Sequence, residues 1–174
     1  MQYRFDGKSP EIEHEAYVSE WAMIIGDVKI SGDCYIGHGA ILRGDYGRIE
    51  IGVGTAVEEG VIIHAPPQDI CIIGEKVTIG HGSIIHSASI DDLASIGMGA
   101  ILSLHSKIGE ETIIAEGAVV RMRQQIPAGV VAAGNPARVV RKIEKKDQDF
   151  WSAGKQLYID LARKYRVQGM QHIE

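Results

Sequence analysis

Hydrophobic residues recur every six positions along most of the chain. Ile, Leu or Val occupies positions 24, 30, 36, 42, 51, 57, 63, 73, 79, 90, 96, 102, 108, 114, 120 and 126. The residue directly after each of these apolar positions is often Gly. The residue four positions after the apolar one is small or β-branched, as at Cys34, Ala40 and Ala118. A period of six is neither the 3.6 of an amphipathic helix nor the two of a half-buried strand.

A three-sided coil explains this period. Each unit of six residues provides one short strand and one turn, three units close one coil, and stacked coils form parallel sheets on three faces. The apolar residue of each unit points inward. The pattern resembles the hexapeptide-repeat family of left-handed parallel β-helices, and the left hand is implied by that resemblance. The repeat covers about residues 18–137, so we expect a mainly β fold.

The period changes in the C-terminal tail, which predicts an amphipathic α-helix over about 145–167 that covers one face of the prism. The apolar residues that recur there at intervals of three or four are Phe150, Gly154, Leu157, Leu161 and Tyr165, with Trp151, Tyr158 and Ala162 beside them. We expect a single domain in two parts. Residues 1–143 form the β-helix with its N-terminal lead-in, and residues 144–174 form the helical segment.

Charge and composition limit the classes of partner. The formal net charge of -5 argues against nucleic acid or an anionic membrane surface as the main partner. No run of about 18 apolar residues is available to span a membrane, and the first residues lack the apolar core of a signal peptide. We therefore predict a cytoplasmic protein. Cys34 and Cys71 occupy positions for packed small residues, which predicts buried thiols.

Three histidines point to a metal site. His64 and His86 each follow an inward isoleucine and lie three units apart, so we expect them on one face, about 4.8 Å apart along the stack. Two imidazoles at that separation can converge on one ion. His81 falls on a different face, and a second copy of the chain packed around a threefold axis would supply it. Three imidazoles with an open fourth position are typical of catalytic zinc. The period also slips here, because Ile79 and Ile90 are eleven residues apart.

Charged residues surround the predicted site. Arg43 lies one coil before His64 and is followed by Gly44 and Asp45. We expect this arginine to pair with a carboxylate across the subunit interface and to attract an anion, although an ordinary ion pair of Arg43 with Asp45 is the alternative. Glu58 lies on the face of His81, where it would accept a hydrogen bond from the metal-bound water, or would simply be solvated. The remaining histidines, expected at the surface, are His14, His38, His105 and His172.

Three motifs resemble the γ-class carbonic anhydrases: ILRGD (41–45), EEGVIIHA (58–65) and VTIGHGSIIHSASI (77–90). The resemblance implies a homotrimer with zinc or iron(II) at each interface, bound by His64 and His86 of one subunit and His81 of its neighbour. Cobalt suits three imidazoles equally. Arg43 and Asp45 match the family's interface pair. The implied reaction is reversible hydration of carbon dioxide to bicarbonate.

The chain departs from that family at two places. Where the family commonly reads Asn-Val-Gln-Asp, residues 56–59 are Ala-Val-Glu-Glu, so a carboxylate at Glu58 replaces the amide that orients metal-bound hydroxide. Where longer members carry an acidic proton-shuttle loop, residues 65–67 are Ala-Pro-Pro. Both departures predict a weak hydratase.

Two other functions remain open. The segment AAGNPARVVRKI (132–143) resembles the terminal coil of hexapeptide acyltransferases, which would use coenzyme A with His105 as the base. The third possibility is a non-catalytic trimeric scaffold in which the metal only joins the subunits, and the departures at Ala56 and Glu58 favour it.

Overall fold

The computed structural model describes residues 1–173, which form twenty short strands and one helix. In chain order the strands are β1 Gln2–Tyr3, β2 Glu11–Ile12, β3 Tyr17–Val18, β4 Met23–Ile30, β5 Tyr35–Ile36, β6 Ile41–Ile51, β7 Ala56–Val57, β8 Ile62–His64, β9 Ile70–Ile73, β10 Thr78–Ile79, β11 Ile84–His86, β12 Ser89–Ile90, β13 Ser95–Ile96, β14 Ile101–Leu102, β15 Lys107–Ile108, β16 Ile113–Ile114, β17 Val119–Val120, β18 Gln125–Ile126, β19 Val130–Ala133 and β20 Arg138–Lys142. The helix α1 spans Lys145–Gln168.

The strands form a parallel β-solenoid of about seven turns with three faces. The long strands β4 and β6 bend around one corner and contribute to two faces. Their first halves lie with β8, β11, β14 and β17 on the first face, and their second halves lie with β9, β12, β15 and β18 on the second face. The third face comprises β3, β5, β7, β10, β13, β16, β19 and β20, and β20 pairs antiparallel with β19. The predicted β-helix fold is confirmed.

The residues of the six-residue repeat fill the interior of the prism. Every position predicted from the repeat is at most 4% exposed, and the largest value is that of Ile126. Full burial of one such side chain stabilises the fold by about 1.5–3 kcal/mol, so the repeat supplies the main driving force for folding. Cys34 and Cys71 are free thiols in this core, as predicted. The slip in the period falls at Ser87, which takes a φ of 50° immediately after His86.

The helix α1 covers the third face, and its predicted bounds are confirmed to within one residue. Lys155, Ile159 and Ala162 are its buried residues. The predicted apolar stripe is wrong in part, because Phe150 is 70% and Leu157 is 60% exposed. The helix presents the side containing residues 155, 159 and 162 to the sheet, which turns these two side chains towards solvent. Within the described part of the chain, no helix combines the length and apolar character needed to cross a bilayer. Glu174, the last residue of the predicted 144–174 segment, lies outside the described residues.

Candidate metal centre

His64 and His86 stack on the first face. They are opposite each other in the register of β8 and β11, with ring centroids 5.0 Å apart and ring planes inclined by 23°. Their predicted placement one coil apart is confirmed. The Nε2 atoms of both rings are buried and have no hydrogen-bond partner among residues 1–173. Buried polar atoms are rarely left without a hydrogen-bond partner, so we expect these two Nε2 atoms to bind a ligand.

The surroundings of His64 favour a neutral ring. Burial, together with the charge of Arg43 and the neighbouring His86, lowers the pKa of His64. The nearest carboxylate oxygen, Asp45 Oδ1, is 3.7 Å from His64 Nε2, which is beyond hydrogen-bond distance. A neutral imidazole is the form that binds metal ions, so the site has the donor chemistry of a metal centre.

Arg43 and Asp45 flank the histidines at the corner of β6. Arg43 is opposite His64 in the register of β6 and β8, as predicted. Its Nη1 donates to Asp45 Oδ2 at 2.7 Å, so the two residues pair within one chain. A Cβ at the intervening Gly44 would collide with the carbonyl oxygen of Asp27, so this corner needs glycine. Burial alone would raise the pKa of Asp45, but hydrogen bonds from Arg43 and a backbone amide outweigh burial and lower it.

His81 lies in the turn between β10 of the third face and β11 of the first face, so it is off the strand positions that carry His64 and His86. Its two ring nitrogens contact carboxylates of the same chain: Nε2 is 3.0 Å from Glu58 Oε2, and Nδ1 is 2.8 Å from Glu59 Oε2. Only a doubly protonated ring donates to both oxygens. Among residues 1–173 of one chain, no three His, Cys, Asp or Glu side chains converge as a metal-binding group.

Glu58 is 5% exposed and is occupied by its own chain. Its Oε2 accepts the backbone N–H of His81 at 3.0 Å in addition to facing the ring of that residue. The solvated alternative for Glu58 is therefore wrong, since the side chain is buried against His81. Its role towards a metal-bound water stays a prediction.

Three neighbours of His81 and Glu58 were not found by sequence reasoning. Tyr35 donates to Glu59 Oε1 at 2.6 Å. Burial and this hydrogen bond raise the pKa of Tyr35, while the hydrogen bond helps to lower the pKa of Glu59 against the effect of burial. Tyr158 of α1 faces Glu58, and burial with this carboxylate raises the pKa of Tyr158. Glu59 was signalled only by its position next to Glu58, and no sequence signal links the tyrosines to the site.

The other histidines lie apart from this cluster. His14, His105 and His172 are exposed, as predicted, and His105 Nε2 is 3.6 Å from Asp69 Oδ2. His38 is only partly exposed. Its ring is half-buried against aromatic side chains, and its Nδ1 is 2.6 Å from Ser19 Oγ.

An apolar ladder lies beside the stacked histidines on the first face. Ile62, Ile84 and Ile101 are opposite one another in the strand register, and they are 41%, 41% and 38% exposed. Each side chain points away from the filled core, since the next residue along its strand is fully buried. A contiguous apolar surface of this kind marks an interaction site.

Comparison with known proteins gives consistent matches over nearly the whole chain, although no protein-family model matches it. The chain is 32% identical over 173 residues to "Gamma carbonic anhydrase 2, mitochondrial" of Arabidopsis thaliana, covering 96% of this chain and 62% of that protein. It is 35% identical over 165 residues to "Carnitine operon protein CaiE" of Salmonella agona, covering 95% and 83%. A crystal structure of a hexapeptide transferase family protein from Anaplasma phagocytophilum matches with a TM-score of 0.91 at 31% identity, covering 95% and 98%. The chain thus spans about three fifths of the plant relative's length.

Proposed function

Because the chain belongs to the hexapeptide-repeat family that includes the γ-class carbonic anhydrases and the CaiE proteins, we propose that it reversibly hydrates carbon dioxide to bicarbonate at a metal site between subunits. The proposed assembly is a homotrimer, the proposed cofactor is zinc, with iron(II) or cobalt as alternatives, and the proposed location is the cytoplasm.

The observation that carries this proposal is the pair of buried, unpartnered Nε2 atoms of His64 and His86. Imidazole nitrogens suit zinc, iron(II) and cobalt. Two imidazoles are too few for a catalytic zinc site, which usually has three protein ligands. His81 of a neighbouring copy supplies the third, and the apolar ladder of Ile62 and Ile84 next to the site supports contact between copies.

The carboxylates around His81 support its role as a ligand. Metal-binding histidines generally donate their other ring N–H to a carboxylate. Glu59 is suited to this task because it faces Nδ1 and is itself held by Tyr35. Nε2 then becomes the ligating atom, and the contact of Nε2 with Glu58 Oε2 must be released when the site assembles.

The chain's own residues then support the reaction in separate ways. A divalent ion held by His64, His86 and a neighbouring copy's His81 would lower the pKa of bound water and so supply hydroxide at neutral pH. Glu58, once released from the ring of His81, accepts a hydrogen bond at Oε2, but as a carboxylate it donates none. Arg43, held by Asp45, attracts the bicarbonate product through a guanidinium that is 43% exposed. No acidic side chain occupies residues 65–67 to pass the proton to solvent, so we expect slow turnover.

The test is carbon dioxide hydration by protein reconstituted anaerobically with zinc or iron(II), with the metal content measured alongside. We expect metal-dependent activity that disappears in His81→Ala together with most of the bound metal. His14→Ala is the matched control, because this histidine is exposed and lies in the N-terminal lead-in, where it faces Arg166 of α1. Hydratase activity that survives unchanged in His81→Ala would rule out the interfacial site.

Two other outcomes would favour the other candidates. Metal bound by the trimer without hydratase activity would support the scaffold, which the engagement of Glu58 by His81 also favours. Coenzyme A-dependent acyl transfer that is lost in His105→Ala would support the acyltransferase, for which the 3.6 Å approach of Asp69 to His105 is the favourable observation.

A further inference from the structure

A lysine is buried between α1 and the third face, away from the candidate metal centre. Lys155 is 6% exposed, and its Nζ donates to the carbonyl oxygen of Ala94 at 3.0 Å. The Nζ also donates to Ser95 Oγ at 2.8 Å and to Thr78 Oγ1 at 3.3 Å. Lysine is almost never fully buried without a charged partner, so this position needs an explanation.

The buried amine has no counter-charge. Among residues 1–173, no carboxylate lies within ion-pair distance of Lys155 Nζ, and the ring of Trp151, with its centroid 5.7 Å away, is the nearest cation-stabilising group. Burial lowers the pKa of Lys155 to about 7. At neutral pH a large fraction of this amine is therefore uncharged and nucleophilic.

The two hydroxyls that contact the amine, those of Ser95 and Thr78, have no acceptor elsewhere in the described part of the chain. The ammonium form of Lys155 donates to Ser95 Oγ and to Thr78 Oγ1, whereas the neutral form has two hydrogens and a lone pair that can accept from one hydroxyl. Neither hydroxyl donates to any other group in the described part of the chain. A buried hydroxyl normally finds an acceptor. Once the nitrogen lone pair has formed a covalent bond, the site therefore offers two hydroxyl donors beside the nitrogen.

A cavity of about 380 Å³ between α1 and the third face leads to this site. Lys155, Ser95 and Trp151 are among its lining residues. The remaining charged residues of the lining are Lys76, Glu111, Lys145, Asp147 and Asp149. Asp147 is paired with Arg141 and Asp149 with Lys145. Lys76 and Glu111 are then the lining charges without a salt bridge among the described residues, and Glu111 accepts from Gln148 Nε2 at 3.1 Å.

We propose that Lys155 is a modification site for carbon dioxide, at which Nζ forms a carbamate held by the hydroxyls of Ser95 and Thr78. The nitrogen lone pair forms a bond to the carbon of carbon dioxide, one C=O electron pair moves to oxygen, and one proton leaves Nζ for water in the cavity. The remaining N–H keeps the carbonyl of Ala94 as its acceptor. The two carbamate oxygens accept the two hydroxyl hydrogens.

Carbon dioxide fits the access to this amine better than a larger electrophile. The nitrogen is enclosed on three sides by its hydrogen-bond partners, and a small uncharged molecule can enter without breaking an ion pair. The reaction requires no metal ion. The inference therefore stands apart from the proposed hydratase activity, and the two can fail separately.

The experiment is covalent trapping of carbamates with a trialkyloxonium reagent in ¹³C-labelled bicarbonate at pH 7.5, followed by peptide mass spectrometry. The whole chain is used, both metal-loaded and after chelation. At this pH roughly three quarters of an amine with a pKa of about 7 is uncharged, against about one in a thousand for an ordinary lysine. We expect labelling of Lys155 at least about tenfold above that of Lys164, an exposed lysine on the same helix.

Two substitutions test the geometry. Ser95→Ala keeps the amine but removes one donor, and we expect it to lower the Lys155 label about tenfold, because hydrogen bonds to charged groups are strong. Ser89→Ala, on the second face, should leave the label unchanged. Equal labelling of Lys155 and Lys164 would overturn the proposal, and so would a Lys155 label that is insensitive to Ser95→Ala. Labelling that persists after chelation would support it.

Discussion

Replacing Lys155 with methionine should remove much of the rise in stability that this protein gains between neutral and alkaline pH. Methionine keeps the apolar stem of the side chain and removes the amine. The carbonyl of Ala94 is not left unpaired, because it also accepts the backbone N–H of Thr78 at 3.1 Å. The substitution therefore isolates the effect of a buried ionisable group.

The magnitude follows from the lowered pKa. Lys155 titrates at about 7 in the folded chain against an ordinary value of 10.5, so between these values the unfolded chain binds one more proton than the folded chain. The free energy of unfolding then rises with pH by about 1.4 kcal/mol per unit. The part of the unfolding free energy that depends on the titration of Lys155 is highest above about pH 10.5 and falls as the pH drops to about 7. From pH 7 to 9.5 the wild-type chain should gain about 3 kcal/mol more than Lys155→Met.

The assay is urea unfolding of both proteins at several pH values over this range, at one protein concentration, because oligomer stability depends on concentration. Other titrating groups are shared by the two chains and cancel in the comparison. Parallel pH dependences would refute the reasoning, since they would show that the amine is charged or exposed in the folded protein.

Three further predictions concern the candidate metal centre and the core. Glu58→Gln should raise carbon dioxide hydration by the metal-loaded protein about tenfold in a stopped-flow assay, because an amide donates a hydrogen bond that an ionised carboxylate cannot; an unchanged rate would remove Glu58 from the reaction. Glu59→Gln should weaken metal binding in equilibrium dialysis about tenfold by loosening the ring of His81, and wild-type affinity would contradict that role. Burial raises the pKa of Cys34 and Cys71 to about 12, so neither thiol should react with DTNB at pH 8 until the protein is unfolded; fast labelling of the native protein would contradict their burial.

The architecture and the stacking of His64 on His86 could be predicted from the sequence, because in a β-helix the position of a residue in the repeat determines its position in the fold. Three units of the repeat advance one coil, so residues one coil apart must lie in register on the same face. This arithmetic places His86 over His64 and Arg43 in the same stack, and the structure has all three there. It also separates His81 from that stack, and the structure has this residue in the turn between the third and first faces.

The side-chain contacts of His81 could not be predicted in this way. The ring lies between Glu58 and Glu59, and Tyr35 holds the second carboxylate. The backbone repeat fixes which face a residue occupies, but the rotamer and partner of an outward side chain depend on what packs over it. Arg43 is an example, since within one chain its partner is Asp45, two positions along the same strand.

The sequence by itself determined the six-residue coil, the extent of the C-terminal helix and the vertical alignment of His64 with His86, since each follows from a periodic pattern. Only the tertiary structure decided which side of that helix meets the prism. Lys155 and Ser95 are sixty residues apart and belong to elements with different periods, so no pattern along the chain relates them. Their contact exists because α1 docks with Ile159 and Ala162 against the third face, and that docking buries a residue type that sequence patterns assign to the surface.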